Sequence, residues 1–277
     1  MRPRIAFARF LLRAGDFLRT LPVVVLRPAD MIEWSRQGYE RSGRYFATAN
    51  DVDAGLTHDE LELWERLPVH TGHVLILGVG GGREAVWFGR HDWHVTGLDF
   101  SGQMLEQARE SMAQRQFAFD GWIGDIACLE VQRESQDLIW TSMFLYSAVI
   151  NRERRVKMLK LIYNALKPGG TLVVSFHWQP NAQHPTKYFR IQKMLAWLTL
   201  GNTGFENGDI LFGTLEFRHA FSSEQKLREE FIAGGFAMPD IDVIIFDKMM
   251  RGGAILRKSE LGKQQGQNKF SVEGERF

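Results

Sequence analysis

Apolar residues change rhythm along this chain, and each change marks an element. Phe7, Phe10, Leu11, Ala14, Phe17, Leu18 and Leu21 recur at three- and four-residue steps, opposite Arg9, Arg13, Asp16 and Arg19. That spacing predicts an amphipathic helix over residues 5–21. Between Met31 and Asn50 the aromatics Trp34, Tyr39, Tyr45 and Phe46 suggest helix followed by loop. Thr57 and Glu60 have capping-box spacing, and "LELWERL" carries the next helix to about Leu67.

From residue 73 the pattern shortens. Val74–Leu77 is a continuous apolar run, as expected of a strand covered on both faces. A helix follows over Arg83–Arg90, then the strand "WHVTGLD" ending at Asp99, then a helix to about Arg115 that Ser101 can cap. Further strands fit at Phe119–Ile123, Asp137–Ser142 and "TLVVSFH". Between the last two, Val156, Leu159, Ile162, Tyr163 and Leu166 share a helical face that "KPGG" ends. "FSSEQKLREEFIAGGF" reads as a helix capped by Ser222 or Ser223 and stopped at Gly234–Gly235, and strands around 241–246 and 251–257 close the series. Strand and helix in alternation predict an α/β fold: a doubly wound, mostly parallel sheet of seven strands with helices on both faces. N-terminal helices (1–70) precede this core (71–257). Residues 178–213 interrupt it, with Tyr188, Ile191, Met194, Leu195 and Leu198 marking a strongly apolar helix in an inserted lid. Residues 258–277 lack apolar anchors and are expected to form a disordered tail.

Composition narrows the function. The chain has 277 residues, a net charge of +1 and one cysteine, Cys128. The charge gives no overall pull towards nucleic acid. A lone cysteine excludes an internal disulfide and suits a reducing compartment. No apolar run reaches the roughly 20 residues of a spanning helix, and charges interrupt any signal-peptide core, so a cytoplasmic location is expected. Residues 1–27 admit two readings: a helix packed on the domain, or a basic helix lying on a membrane surface or over an apolar substrate.

The chemistry concentrates at "VLILGVGGGRE", where a buried strand runs into Gly78, Gly80, Gly81 and Gly82. Glycine tolerates positive φ and lets a ligand approach the backbone, and the carboxyl edge of an open parallel sheet is where such folds bind ligands. The loop alone fits both a nucleoside turn and a dinucleotide fingerprint. Asp99, ending the second strand, sits where a carboxylate can accept from both hydroxyls of a ribose. Asp125, in "IGDI" after the third strand, could accept from an adenine amino group. The dinucleotide reading explains Asp99 but neither Asp125 nor "LKPGG".

With these residues in place, the chain resembles the class I S-adenosylmethionine-dependent methyltransferases. "VLILGVGGGRE", "VTGLDFSGQML", "GDI" and "LIYNALKPGGTLVVSF" look like four of their motifs, in order, over residues 70–177. The resemblance implies S-adenosylmethionine as cofactor. It implies that Gly78, Val79, Gly80 and Gly82 pass close to its methionine part and that Asp99 holds the ribose. Phe100 and Met104 would border the adenine, Asp125 and Ile126 would read its edge, and Ser142 and Met143 would approach the sulfonium. One departure stands out: many relatives have an acid where this chain has Ile76, which leaves the contact to the methionine ammonium unassigned, with Glu84 a candidate substitute.

Methyl transfer from a sulfonium needs alignment of nucleophile, carbon and sulfur, and a base only if the nucleophile carries a proton. His177 and Tyr146 are the leading candidates for that base, with His184 and His219 behind them. No cluster suggests a metal site. The expected substrate is a small molecule with an apolar portion, beneath a lid formed by the N-terminal helices and residues 178–213. The alternative for the apolar helix 187–200 is core or a dimer interface. "TSMFLYS" after the fourth strand lacks the Asp/Asn-Pro-Pro-aromatic sequence of base-amino methyltransferases, so nucleic acid is not an expected partner. Aminopropyl transfer and a non-catalytic cofactor-binding role are the competing functions.

Overall fold

A computed structural model describes residues 20–46, 49–180, 189–212, 216–247 and 250–260, together with Phe7, Gly15 and Leu18. Most of the predicted helix 5–21, His184 and the tail beyond residue 260 therefore lie outside the described residues. The elements begin with α1 (Pro28–Phe46), α2 (Ala49–Asp53) and α3 (His58–Glu65). The core then runs β1 (Gly72–Leu77), α4 (Arg83–Arg90), β2 (Trp93–Asp99), α5 (Gly102–Ala113), β3 (Phe119–Ile123), β4 (Gln136–Thr141), α6 (Leu145–Ala148), α7 (Arg152–Ala165) and β5 (Leu166–Trp178). The remainder is α8 (Phe189–Leu198), β6 (Asp209–Phe212), β7 (Glu216–Phe221), α9 (Glu224–Ala233), β8 (Ile241–Asp247) and β9 (Arg251–Arg257).

Local chemistry sets several of these boundaries. Thr57 and Glu60 form the capping box: the Thr57 hydroxyl accepts from the Glu60 amide, and the Glu60 carboxylate accepts from the Thr57 amide. The Ser101 hydroxyl accepts from the Met104 amide at the start of α5, and Ser223 does the same for Lys226 in α9. Helix α7 ends at Ala165, and the strand begins at once, so "KPGG" lies inside β5 rather than between the elements.

Strands pair in the order β3-β2-β1-β4-β5, all parallel, and β9 then runs antiparallel to β5 with β8 beyond it. That is the predicted seven-stranded sheet. The observed sheet has nine strands, because β6 and β7 form an antiparallel hairpin that joins the carboxyl end of β5 through His177↔Ala220 and Trp178↔Phe221. The inserted segment is thus a helix followed by a hairpin, not a purely helical lid.

Three apolar clusters organise the molecule. One lies between the sheet and α7 and α9, built on Leu75, Leu77, Leu159, Ile162 and Phe231. A second lies under α3, α4 and α5, around Val74, Ile76, Leu63, Phe88 and Ala108. The third joins Val23, Val24 and Met31 from the N-terminal side to Ile150, Ala196, Phe205 and Phe217. Alternating burial on the two sheet faces explains the first two. The third packs the described N-terminal residues and the described part of the insertion together over the carboxyl edge of the sheet. Helix α8 buries Ala196 and Gln192 beneath it and leaves Ile191, Met194, Trp197 and Leu198 exposed. No helix among the described residues is long and apolar enough to cross a membrane.

Candidate active site

A cavity of about 490 Å³ opens at the carboxyl ends of β1, β2 and β4, under that cover. Its floor is the glycine turn. Gly78 and Gly80 have φ of +69° and +54°, a region that side chains disfavour. A Cβ on Gly80 would meet nothing closer than the Met104 methyl at 3.6 Å, an ordinary van der Waals contact, so the backbone there is not crowded. Gly82 plays another part. It does not line the cavity, and a Cβ on it would stand 3.1 Å from the Ala108 backbone, so it is bare to let α4 and α5 pack together.

Asp99 closes one side. It is buried, its Oδ2 accepts from the Gly80 amide at 2.9 Å, and its Oδ1 accepts from the Ser101 amide at 2.9 Å. Burial raises its pKa above the ordinary carboxylate value, against the opposing pull of those amides. Each oxygen keeps a second lone pair for a ligand. Asp125 also lines the cavity. It caps the short turn Ile126–Cys128 by accepting from the Ala127 amide, and its other oxygen pairs with Arg154 at 2.6 Å. Val79, Phe100, Met104, Ile126, Ser142 and Met143 complete the predicted set on the cavity wall.

Ile76 is sealed in the core and faces no ligand. Glu84 does line the cavity, beside Ser142, though only 5 % of it is exposed. Arg83 pairs with it at 2.8 Å and with Glu60 at 2.6 Å, so one cation serves two carboxylates and the trio keeps a net negative charge. Burial raises the Glu84 pKa, Arg83 opposes that, and Glu60 adds to it. A second cation beside Glu84 would relieve an uncompensated charge.

The two leading base candidates are not on the cavity wall. Tyr146 is fully buried, and its hydroxyl donates to Glu230 at 2.8 Å. Burial and that carboxylate push its pKa well above the usual phenol value, so it holds its proton in the core. His177 lies behind Phe144, the ring centroids 6.3 Å apart, with its Nδ1 buried and unpartnered. Burial, then Arg218 and His219, lower its pKa and keep it neutral. His219 is buried and bonded to Asp209 at 2.7 Å. Glu206, Asp209 and His219 bring ligand atoms within 4.8 Å of one another, a cluster the sequence reading did not find. Arg155 already donates to Glu206, and the Glu206 amide to Asp209, so internal bonds account for the arrangement. Tyr146→Phe is therefore expected to leave affinity for S-adenosylhomocysteine unchanged while costing about 1 kcal/mol of stability, read by calorimetry and denaturant titration.

The structure adds residues the sequence pattern did not single out. Ile32, Ser35 and Tyr39 reach the cavity from α1, Phe144 from the turn before α6, and Phe212, Glu216 and Arg218 from the hairpin. Tyr39 stacks edge-on against Phe100, with centroids 5.8 Å apart, and its hydroxyl donates to Glu216. One available signal was the alternation of Glu216 and Arg218 with Phe217, the period of a strand.

Residues 74–170 match the family described as "Methyltransferase domain". The chain thus carries a class I S-adenosylmethionine-dependent methyltransferase domain. Among curated proteins, the S-adenosyl-L-methionine-dependent Diels-Alderase iccD of Talaromyces variabilis is 25 % identical over 59 % of this chain and 56 % of its own length. The ubiquinone biosynthesis O-methyltransferase of Coxiella burnetii is 32 % identical over 37 % of this chain and 42 % of its own. The match thus spans about half the length of these curated relatives. Two solved structures share the fold. An S-adenosylmethionine-dependent methyltransferase from Mesorhizobium loti has a TM-score of 0.56 and 22 % identity, over 74 % of this chain and 99 % of that one. The phosphoethanolamine N-methyltransferase 2 of Haemonchus contortus, in complex with S-adenosyl-L-methionine, has a TM-score of 0.52 and 19 % identity, over 76 % and 46 %.

Proposed function

We propose that this protein transfers a methyl group from S-adenosylmethionine to a small molecule with an apolar portion. One observation carries the reading: the buried Asp99 carboxylate is tied to the Gly80 amide at the mouth of a side-chain-free turn, inside a cavity that also takes in Asp125. These residues fit the cofactor. Gly80 leaves the approach to the backbone uncrowded, Asp99 holds the ribose hydroxyls, and Phe100, Met104, Asp125 and Ile126 enclose the adenine. Glu84 takes the methionine ammonium that Ile76 cannot. The bound sulfonium supplies an activated methyl carbon. The chain's own work is alignment and the exclusion of water by α1 and the hairpin.

Methyl-tritiated S-adenosylmethionine, incubated with the protein and a panel of apolar and polar acceptors, tests the reading. Label should pass to acceptors with an apolar body, and label confined to polar acceptors would contradict it. A second reading has one observation behind it: a relative is named as a Diels-Alderase dependent on the same compound. Product formed while the donor stays intact would favour that one.

The role of Glu84 has its own measurement. Glu84→Gln should weaken S-adenosylhomocysteine by about 10- to 100-fold, the worth of a hydrogen bond to a charged group. The deaminated analogue should bind wild type and variant alike. Equal losses for both ligands would make Glu84 a packing residue instead.

A further inference from the structure

Outside the half of the cavity assigned to the cofactor, few groups ionise. Among the described residues the titratable lining there is Tyr39 from α1 and Glu216 and Arg218 from β7. Glu216 and Arg218 stand two apart on one strand, so their side chains leave the same face. Glu216 is already engaged: one oxygen accepts from the Tyr39 hydroxyl, the other from Nε and Nη2 of Arg218. A carboxylate that satisfies three donors, one pair of them from a guanidinium, is a poor proton acceptor. Its effect is to brace Arg218.

The brace fixes more than position. The Arg218 guanidinium lies 3.8 Å from the centroid of the Phe212 ring and 4.7 Å from that of Phe144. Its Nε–Nη2 edge faces Glu216, and a guanidinium is planar, so the Nη1 end must face the other way. Nη1 has no hydrogen-bond partner among the described residues, and it is not sealed in the protein. A rigid cation with one open end therefore stands in an apolar wall between two aromatic rings.

We propose that Arg218 anchors the methyl acceptor, and that the accepting atom is an oxygen already anionic at neutral pH, carried on a planar apolar body that lies along Phe144 and Phe212. A carboxylate, an acidic enol and an acidic phenol share this chemistry. The inference rests on the transfer reaction proposed above. The open end of a guanidinium matches an oxyanion in charge and in donor geometry, whereas a neutral alcohol or amine gains little from it. Among the described residues no group on this wall is free to take a proton, since Glu216 is engaged and neither Tyr146 nor His177 reaches the cavity. An ionised oxygen needs no base. Transfer then forms one C–O bond and breaks one S–C bond. The electron pair of the broken bond stays on sulfur, the two charges cancel, and no proton moves.

The test is calorimetric titration of the protein loaded with S-adenosylhomocysteine, using matched pairs at pH 8. The pairs are 2-naphthoic acid with 2-naphthylmethanol, and 4-nitrophenol with 4-nitrobenzyl alcohol. In at least one pair the anion should bind about tenfold more tightly than its neutral partner, and which pair does so separates a carboxylate from an acidic phenol or enol. Arg218→Met combined with Glu216→Gln leaves no unpaired charge in the wall and should erase that preference. Arg218→Lys keeps the charge but not the fork, and should retain part of it. Each variant should hold S-adenosylhomocysteine within about twofold of wild type, which shows that the fold and the cofactor half survive. The inference is overturned if no pair shows the preference, whether both members bind alike or neither binds, or if the preference persists in the double variant. Failure of wild type to bind S-adenosylhomocysteine at all is a different pattern, and it sinks the transfer reading itself.

Discussion

Asp99→Asn should weaken S-adenosylhomocysteine binding by roughly 30- to 3,000-fold. Two hydrogen bonds from ribose hydroxyls to an ionised carboxylate are worth about 1.5–3 kcal/mol each, and an amide retains at most one neutral bond of about 1 kcal/mol. The protein without ligand should show the opposite face of the same residue. Burial raises the Asp99 pKa, so holding it ionised costs folding free energy. For a carboxyl whose folded pKa is raised, that cost is absent below the unfolded pKa and appears as pH climbs through the folded one. Asparagine does not titrate. The melting temperature of Asp99→Asn minus that of wild type should therefore grow as pH rises from about 4 to 8. A calorimetric series over that range, with a binding isotherm at each end, measures both effects. Affinity within threefold of wild type would remove Asp99 from the ribose site. A difference that shrinks with rising pH would mean that Asp99 is not paying for its burial.

The legible parts of the fold were those whose causes lie close together in sequence. Trp93–Asp99 and Arg83–Arg90 were bounded to the residue, because an apolar run meets glycine or a capping serine within a few positions. The hairpin β6–β7 was not legible. Its strands have four and six residues, a charge opens each and Arg218 interrupts the second, and the neighbour of that second strand is the end of β5, more than 35 residues upstream. Such a pairing is a tertiary fact, and no local period announces it.

The site divides the same way. Nearly all of the residues expected at the cofactor line the cavity, because strand ends and glycines project to a known edge of the sheet. The base candidates do not, because the direction of a side chain just past a strand depends on the turn. Phe144 takes a left-handed φ of +62°, and the single helical turn after it buries Tyr146 against Phe221 and Phe231 instead of presenting it to the cavity. The wall opposite the glycine turn was missed because α1 and β7 meet there only in the fold, 177 residues apart at the Tyr39–Glu216 contact.

Arg155→Met should cost about 3–5 kcal/mol of stability, the range for stranding one partner of a buried ion pair. Arg155 is fully buried, and it donates through Nε and Nη2 to both oxygens of Glu230, at 2.9 and 2.8 Å. Nη2 also reaches Glu206 at 2.8 Å, and Tyr146 adds a donor to Glu230. The pair thus ties α7 to α9, to α6 and to the loop that leads into the hairpin. The sequence held a sign of it: Arg155 stands three, four and seven residues before Met158, Leu159 and Ile162, on the stripe that is buried, although "RERR" reads as a solvated face. Removing the cation alone leaves Glu230 ionised in the core, bonded to the Tyr146 hydroxyl and with only the half-exposed Arg152 guanidinium 4.0 Å away. Arg155→Met combined with Glu230→Gln removes both charges and keeps an acceptor for Tyr146, so it should recover at least half of the loss. Urea titrations of the two variants against wild type decide the matter. If the double variant falls as far as the single one, the loss comes from packing and not from a stranded charge. If the single variant costs less than about 1 kcal/mol, the cluster is not what holds α7 and α9 together.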